Sequence, residues 1–187
     1  MKTILSLILI AILATGQLKG QATGNNVTDA ILSGYSVQNY TSVPVTDQQL
    51  DIILKCGIKA PSSNNRQPWK FTVIKGDSTM KEIIDNVGPG NVLIIISGAE
   101  SQQGSTPDFD CGLATHSMFL AAEGLGLGAR IYGSPVRNIN LKRESYQIPA
   151  GYKAVIVLRV GNINKSVDAV SSASIRKMPE EVINYKK

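Results

Sequence analysis

The chain has 187 residues, 43% of them hydrophobic and 18% charged, which suits one domain of ordinary size with a substantial core. Its formal charge of +5 forms no clustered basic face, so nucleic acid is not an expected partner. Two cysteines, Cys56 and Cys111, are too few for a disulfide framework and are expected as two free thiols.

The N-terminus stands apart from the domain. Lys2 precedes an apolar run over residues 4–14 that is too short to span a bilayer comfortably. Gly20-Gln21-Ala22 then supplies a small-x-small cleavage site, with cleavage before Gln17 or Gln21 as alternatives. A buried core helix would need an outward polar face, which the run does not offer. The pattern predicts an export signal over residues 1–22, a mature domain over residues 23–187, and a periplasmic or secreted protein. No cysteine directly follows the run, so no lipoprotein anchor is expected, and no later stretch reads as a transmembrane helix. Without residues 1–22 the chain carries 17 basic and 14 acidic residues, a net charge of +3. Asn26-Val27-Thr28 and Asn39-Tyr40-Thr41 are sequons that matter only in a eukaryotic secretory pathway.

Along the mature chain, residues 26–34 read as a short helix. Thr46-Asp47-Gln48-Gln49 is a capping-box pattern. Leu50, Ile53, Leu54 and Ile58 follow at helical spacing and predict an amphipathic helix over residues 47–59. A strand is expected over residues 69–75 and a helix capped by Ser78, stopped by Gly88-Pro89-Gly90. Val92-Leu93-Ile94-Ile95-Ile96 is a continuous apolar run, the pattern of a strand covered on both faces. A loop over residues 98–107 leads to the longest helix, residues 108–124. A short strand (129–132), a short helix (138–146), a strong strand (153–161) and a polar tail (174–187) complete the chain. Helices and strands alternate, so the fold class is mixed α and β around a central sheet.

Gly124-Leu125-Gly126-Leu127-Gly128-Ala129 fits the letters of a dinucleotide fingerprint, but the order is reversed. Its glycines end a helix and precede a strand, so no helix N-terminus meets a pyrophosphate. They read instead as a helix C-cap and a tight turn. His116, the single histidine, has no metal-ligand partner at suitable spacing and reads as structural. No nucleophile-elbow, Cys-x-x-Cys or metalloprotease signature is present.

The most informative segment is Ala60-Pro61-Ser62-Ser63-Asn64-Asn65-Arg66-Gln67-Pro68-Trp69-Lys70-Phe71. Pro61 disfavours helical geometry in the residue before it and ends the preceding helix. The hydroxyls and amides that follow suit either an ordinary polar connection or a loop that wraps a planar polar ligand. This string resembles the P-S-S-x-N-x-Q-P-W-x-F segment of the nitroreductase family of FMN-dependent oxidoreductases. The resemblance implies that Pro61, Ser62, Ser63, Asn65 and Gln67 line a flavin pocket, serving the flavin held mainly by the other subunit of a homodimer. It implies an α+β fold, a three-layer sandwich with a mostly antiparallel central sheet flanked by helices. It also implies FMN as cofactor at the subunit interface, and hydride chemistry at flavin N5 toward a nitro compound, quinone or similar small acceptor. The alternative is a catalytically weak flavin-binding or small-ligand-binding protein on the same scaffold.

Three further segments extend the resemblance. The G-L-G stop implies that residues near Gly133 and Ser134 present backbone N–H groups to the flavin N5 and O4 edge. Gly34-Tyr35-Ser36-Val37-Gln38-Asn39-Tyr40 is similar to the family's R-x-S-x-R/K-x-F/Y opening, with Ser36 and Tyr40 matching. Gly34 replaces the arginine that usually binds the FMN phosphate, and Gln38 replaces the cation that usually approaches the ring. The first change deletes a charge-assisted phosphate contact. The second makes flavin reduction harder by removing a positive charge near N1 and O2. Arg176-Lys177-Met178-Pro179 resembles the basic pair that clasps the phosphate in the family, and reads equally as a solvated tail.

Overall fold

A computed structural model describes residues 24–100, 106–168 and 176–186 of the protein. The expected leader, residues 1–22, lies outside the described residues. The order of elements is α1 (Asn26–Ser33), α2 (Asp47–Ile58), β1 (Trp69–Ile74), α3 (Asp77–Ile83), β2 (Val92–Ala99), α4 (Pro107–Gly124), β3 (Gly128–Tyr132), α5 (Val136–Leu141), β4 (Tyr152–Gly161), α6 (Lys165–Asp168) and α7 (Pro179–Val182).

The strands form one sheet in the order β1-β2-β4-β3, with every neighbouring pair antiparallel. The central strand β2 is buried at every position. Val92, Ile94 and Ile96 pack on one face with Leu50, Ile53, Ala114, Met118 and Leu158. Leu93 and Ile95 pack on the other with Met80, Ile83, Ile139 and Val157. Side chains alternate across a strand, so an unbroken apolar run can be satisfied only by cover on both sides. Helices α2 and α4 cover one face, and α3 and α5 help to cover the other. The result is the three-layer α+β sandwich that the resemblance implied.

Local chemistry explains the boundaries. Thr46 Oγ1 accepts the Gln49 N–H at 3.2 Å, and Gln49 Oε1 accepts the Thr46 N–H at 3.0 Å, completing the expected capping box of α2. The C-terminus of α4 closes by a Schellman motif: the Leu127 N–H donates to Ala122 O and the Gly126 N–H to Glu123 O. Gly126 has φ +73°, the left-handed geometry this stop requires. The glycine run is therefore a helix stop before a strand. Helices α2 and α4 approach closely because Gly57 has no side chain; a Cβ there would lie 2.7 Å from Met118 Cγ.

Several expected boundaries shift. Helix α3 is capped by Gly76, with Ser78 inside its first turn. The short helix expected over residues 138–146 forms earlier, at Val136–Leu141, with turns following. β2 runs on to Ala99, and the polar tail contains the short helix α7. Both cysteines are free; Cys111 is buried but Cys56 is only half-buried. Burial, reinforced by Asp108 and Asp110, pushes the Cys111 thiol up to about 12, so it is chemically inert at neutral pH. No helix among the described residues is long and apolar enough to cross a membrane.

Glu123, in the last turn of α4, has a buried Oε1 without a hydrogen-bond partner. Burial raises its carboxyl from 4.5 to about 7. A carboxyl whose pKa is higher in the folded state binds more protons there than in the unfolded chain between those two values. Stability must then fall as pH rises through that window. Thermal unfolding between about pH 5 and about pH 8 should show a declining Tm, with a shallower decline in Glu123→Gln. Parallel curves for the two proteins would refute this assignment.

Candidate functional site

The 61–67 loop enters from α2 and leaves into β1. Its exit is fixed by Trp69, which is buried and stacks on Phe71 at a ring-centroid distance of 6.3 Å. Pro68 O accepts the Ala99 N–H at 2.9 Å, tying the loop to the far end of β2. Between these anchors the backbone turns sharply. Residues Ser63–Asn65 form a single 3₁₀ turn, and Asn64, Asn65 and Gln67 all have positive φ. Asparagine tolerates this geometry, but a glutamine there is uncommon and costs on the order of 1 kcal/mol.

Internal hydrogen bonds hold the shape. The Gln67 N–H donates to Ser62 Oγ at 3.0 Å, and Gln67 Nε2 donates to Asn65 Oδ1 at 3.2 Å. From outside the loop, Asp110 Oδ1 accepts the Ser63 N–H at 3.2 Å. Asp110 is 1% exposed, and its second oxygen has no partner. This carboxylate, in the first turn of α4, is a positioning residue that the sequence reading missed, because nothing in local spacing links it to Ser63. Pro61, Asn65 and Gln67 are exposed, while Ser62 and Ser63 are half-buried. The loop is thus a preformed polar rim with hydroxyls and amides at the surface.

The other expected residues lie elsewhere. The Val37 N–H donates to Ala129 O at 3.2 Å, fixing Ser36 and Gln38 beside the start of β3. Gly133 and Ser134 follow the end of β3, and both are exposed. Strands β1 and β3 are the two edges of the sheet. Three inter-strand spacings, roughly 14 Å, separate them. Within one protomer the 61–67 loop therefore sits at the β1 edge, while 36–38 and 133–134 lie at the opposite edge, beside the start of β3 and past its end respectively. Arg176 and Lys177 are exposed. Gly34 has φ −60° and ψ 139°, so its backbone is ordinary for any residue, although a Cβ there would lie 3.0 Å from Ala30 O.

Gln38 also borders a cleft of about 390 Å³ between the 38–42 segment, the 86–91 loop and β4. Asn91 and Arg159 lie in its wall, each 3% exposed. Neither was singled out by the sequence. His116 is exposed and stacks on Phe119 at a ring-centroid distance of 6.4 Å. No group of three or more metal-ligating side chains occurs among the described residues.

The Ser63–Asp110 bond should be measurable by amide hydrogen exchange. A hydrogen bond to a charged acceptor is worth about 1.5–3 kcal/mol, so Asp110→Ala should speed exchange at Ser63 by roughly tenfold or more while exchange in β2 stays slow. Unchanged protection at Ser63 would show that the loop holds itself.

The family model described as "Nitroreductase family" matches residues 31–91, a span that includes both the 34–40 opening and the 61–67 loop. An NADH dehydrogenase/NAD(P)H nitroreductase by name, from Archaeoglobus fulgidus, is 30% identical over 137 residues, covering 67% of this chain and 79% of that protein. The NADPH-flavin oxidoreductase of Vibrio harveyi is 29% identical over 136 residues, covering 61% of this chain and 55% of that protein. A nitroreductase with bound FMN from Bacteroides fragilis superposes with a TM-score of 0.72 at 19% identity, over 87% of this chain and 100% of that one. The fold, the ordered 61–67 loop and these relatives converge on one assignment: the chain belongs to the nitroreductase family.

Proposed function

We propose that the protein is an FMN-dependent oxidoreductase that acts as a homodimer, with one flavin at each end of the interface. The observation that carries this reading is the 61–67 loop. It holds three positive-φ residues and an internal amide–hydroxyl network at the surface of a protomer. Strain of this kind persists where the surroundings over-determine it, and it clusters at ligand sites. The donor set fits FMN: neutral hydroxyls and amides suit the ribityl chain and the polar ring edge, and a cationic pair suits the phosphate.

When bound, FMN supplies hydride transfer at N5 between a reductant and a small acceptor such as a nitro compound or a quinone. Ser62, Ser63, Asn65 and Gln67 would hold the ribityl chain and the ring edge by neutral hydrogen bonds. Along the partner's β3 edge, Ser36 and Gln38 beside the strand's start and the N–H groups near Gly133 and Ser134 past its end would approach the same flavin from two ends of the strand. The placement of these groups at opposite edges of one protomer supports the dimer, because a second copy would be needed to bring them to one flavin. Arg176 and Lys177 would clasp the phosphate in place of an arginine at Gly34.

The proposal includes export, supported by the basic start, apolar run and small residues of 1–22. An exported enzyme has no direct access to cytoplasmic NAD(P)H, so it would need another donor or work in reverse. The reading as a catalytically weak flavin binder is favoured by one specific feature, the neutral residues at 34 and 38. An absorbance spectrum of the purified protein separates the two: the enzyme is expected to be yellow and to bleach with NADPH, whereas a weak flavin binder keeps its colour with NADPH and a binder of another small ligand has none.

Calorimetry tests the site. Asn65→Ala removes one or two neutral hydrogen bonds of about 1 kcal/mol each, so FMN affinity should weaken roughly five- to thirtyfold. FMN should bind more tightly than riboflavin, and neutralising Arg176 and Lys177 together should erase most of that preference. A wild-type protein that binds no FMN would overturn the function proposed here.

A further inference from the structure

Arg159 is 3% exposed on β4 and carries a permanent charge. Its guanidinium lies over the Tyr40 ring at 4.0 Å. Its Nε donates to Asn91 Oδ1 at 2.6 Å, and Nη1 donates to Asn86 Oδ1 at 3.4 Å. All of these partners are neutral. The ion pairs among the described residues involve other side chains, and none reaches Arg159. Arg130 is its direct cross-strand partner on β3, so a second cation shares its face of the sheet. Like charges directly opposite each other destabilise a sheet, and a buried charge is costly unless paired.

The cleft around this arginine is built into the backbone. Gly161 admits the flanking groups, because a Cβ there would lie 2.7 Å from the Tyr40 ring and 3.1 Å from the Asn91 amide. Gly90, at φ +79°, brings the 86–91 loop against Ser42, whose carbonyl oxygen a Cβ would meet at 2.4 Å. Asn91 Nδ2 donates to Pro89 O at 3.3 Å, which turns its oxygen toward Arg159. The wall therefore combines an unneutralised guanidinium with polar side chains around about 390 Å³ of space.

The geometry points to an oxyanion site: the cleft between the 38–42 segment, the 86–91 loop and β4 binds a phosphate-like anion through Arg159. The planar guanidinium fork matches such a group, and an incoming anion supplies the countercharge that the fold withholds. Two sources of this chemistry exist, a free anion or an anionic co-substrate on one hand and the phosphate of FMN on the other. The inference does not depend on the flavin reading.

Inorganic phosphate titrated into the full chain is the test, by calorimetry and by thermal unfolding, with sodium chloride at matched ionic strength as reference. Phosphate should bind saturably and raise Tm, and chloride should not. Arg159→Met should weaken phosphate binding at least about tenfold, the loss expected for a charge-assisted contact. It should also raise Tm in phosphate-free buffer, because an unpaired buried charge is gone. Asn86→Asp is nearly isosteric at an exposed position and guards against misfolding of the first variant. Its carboxylate neutralises Arg159 in place and should abolish the phosphate response. Absence of saturable binding in the wild type, or binding unaltered in both variants, would overturn the site.

The same titration on FMN-loaded and riboflavin-loaded protein separates the sources. Competition by FMN but not riboflavin assigns the cleft to the flavin's own phosphate. Equal phosphate binding in all forms assigns it to a separate anion. Phosphate binding by a chain that takes up no flavin would sink the flavin proposal and leave the cleft standing.

Discussion

The complete burial of β2 is the constraint on which the rest of the structure depends. Eight consecutive buried residues leave no solvent face, so helices must cover both sides of the sheet. The alternation is strict: Val92, Ile94 and Ile96 commit to the α2–α4 layer, Leu93 and Ile95 to the α3–α5 layer. A slip of one residue would exchange the two sets, which the different partners on each face forbid. Both faces being used for cohesion, only the sheet edges and ends are left for polar work. The 61–67 loop, the 36–38 segment and the Arg159 cleft all lie there.

Polar work at those edges is held in place by a few buried polar groups whose own needs are only partly met. Asp110 gives one oxygen to the Ser63 amide and leaves the other without a partner. Arg159 has two neutral acceptors and a ring for one permanent charge. In a low-dielectric interior such partial satisfaction costs more than an apolar replacement. Both groups lie beside a surface loop or a cleft and away from the centre of the core.

The sequence made local features legible and spatial relations obscure. The Thr46 capping box, the Gly126 stop, the doubly covered β2 and the polar 61–67 loop each depend on neighbours within a few residues, and each was readable. The cap of α3 was misread because Ser78 is a good capping residue in isolation, whereas the chain enters the helix two residues earlier at Gly76. The helix near residue 138 was placed late because its apolar positions are few. Asp110 and Arg159 were invisible for a different reason. Asp110 acts on a residue 47 positions away, and Arg159 meets Asn91 across 68. The packing of α4 beside the loop brings the first pair together, and the β2–β4 register the second.

That register also recasts the two substitutions in the 34–40 opening. Read locally, Gly34 and Gln38 are losses of positive charge. In the fold, the segment they belong to runs beside β3 and on to Tyr40, which bridges to Ile163 just past the end of β4. Tyr40 carries its ring onto Arg159, and Gln38 borders the same cleft. A cation is therefore present near this segment after all, supplied from β4 and not from the segment itself. A side chain on a central strand is more rigid than one on a surface segment, and it loses less conformational freedom when it engages an anion. A cation on the strand would therefore make a fixed contact where one on the segment would make a flexible one, at the cost of being buried.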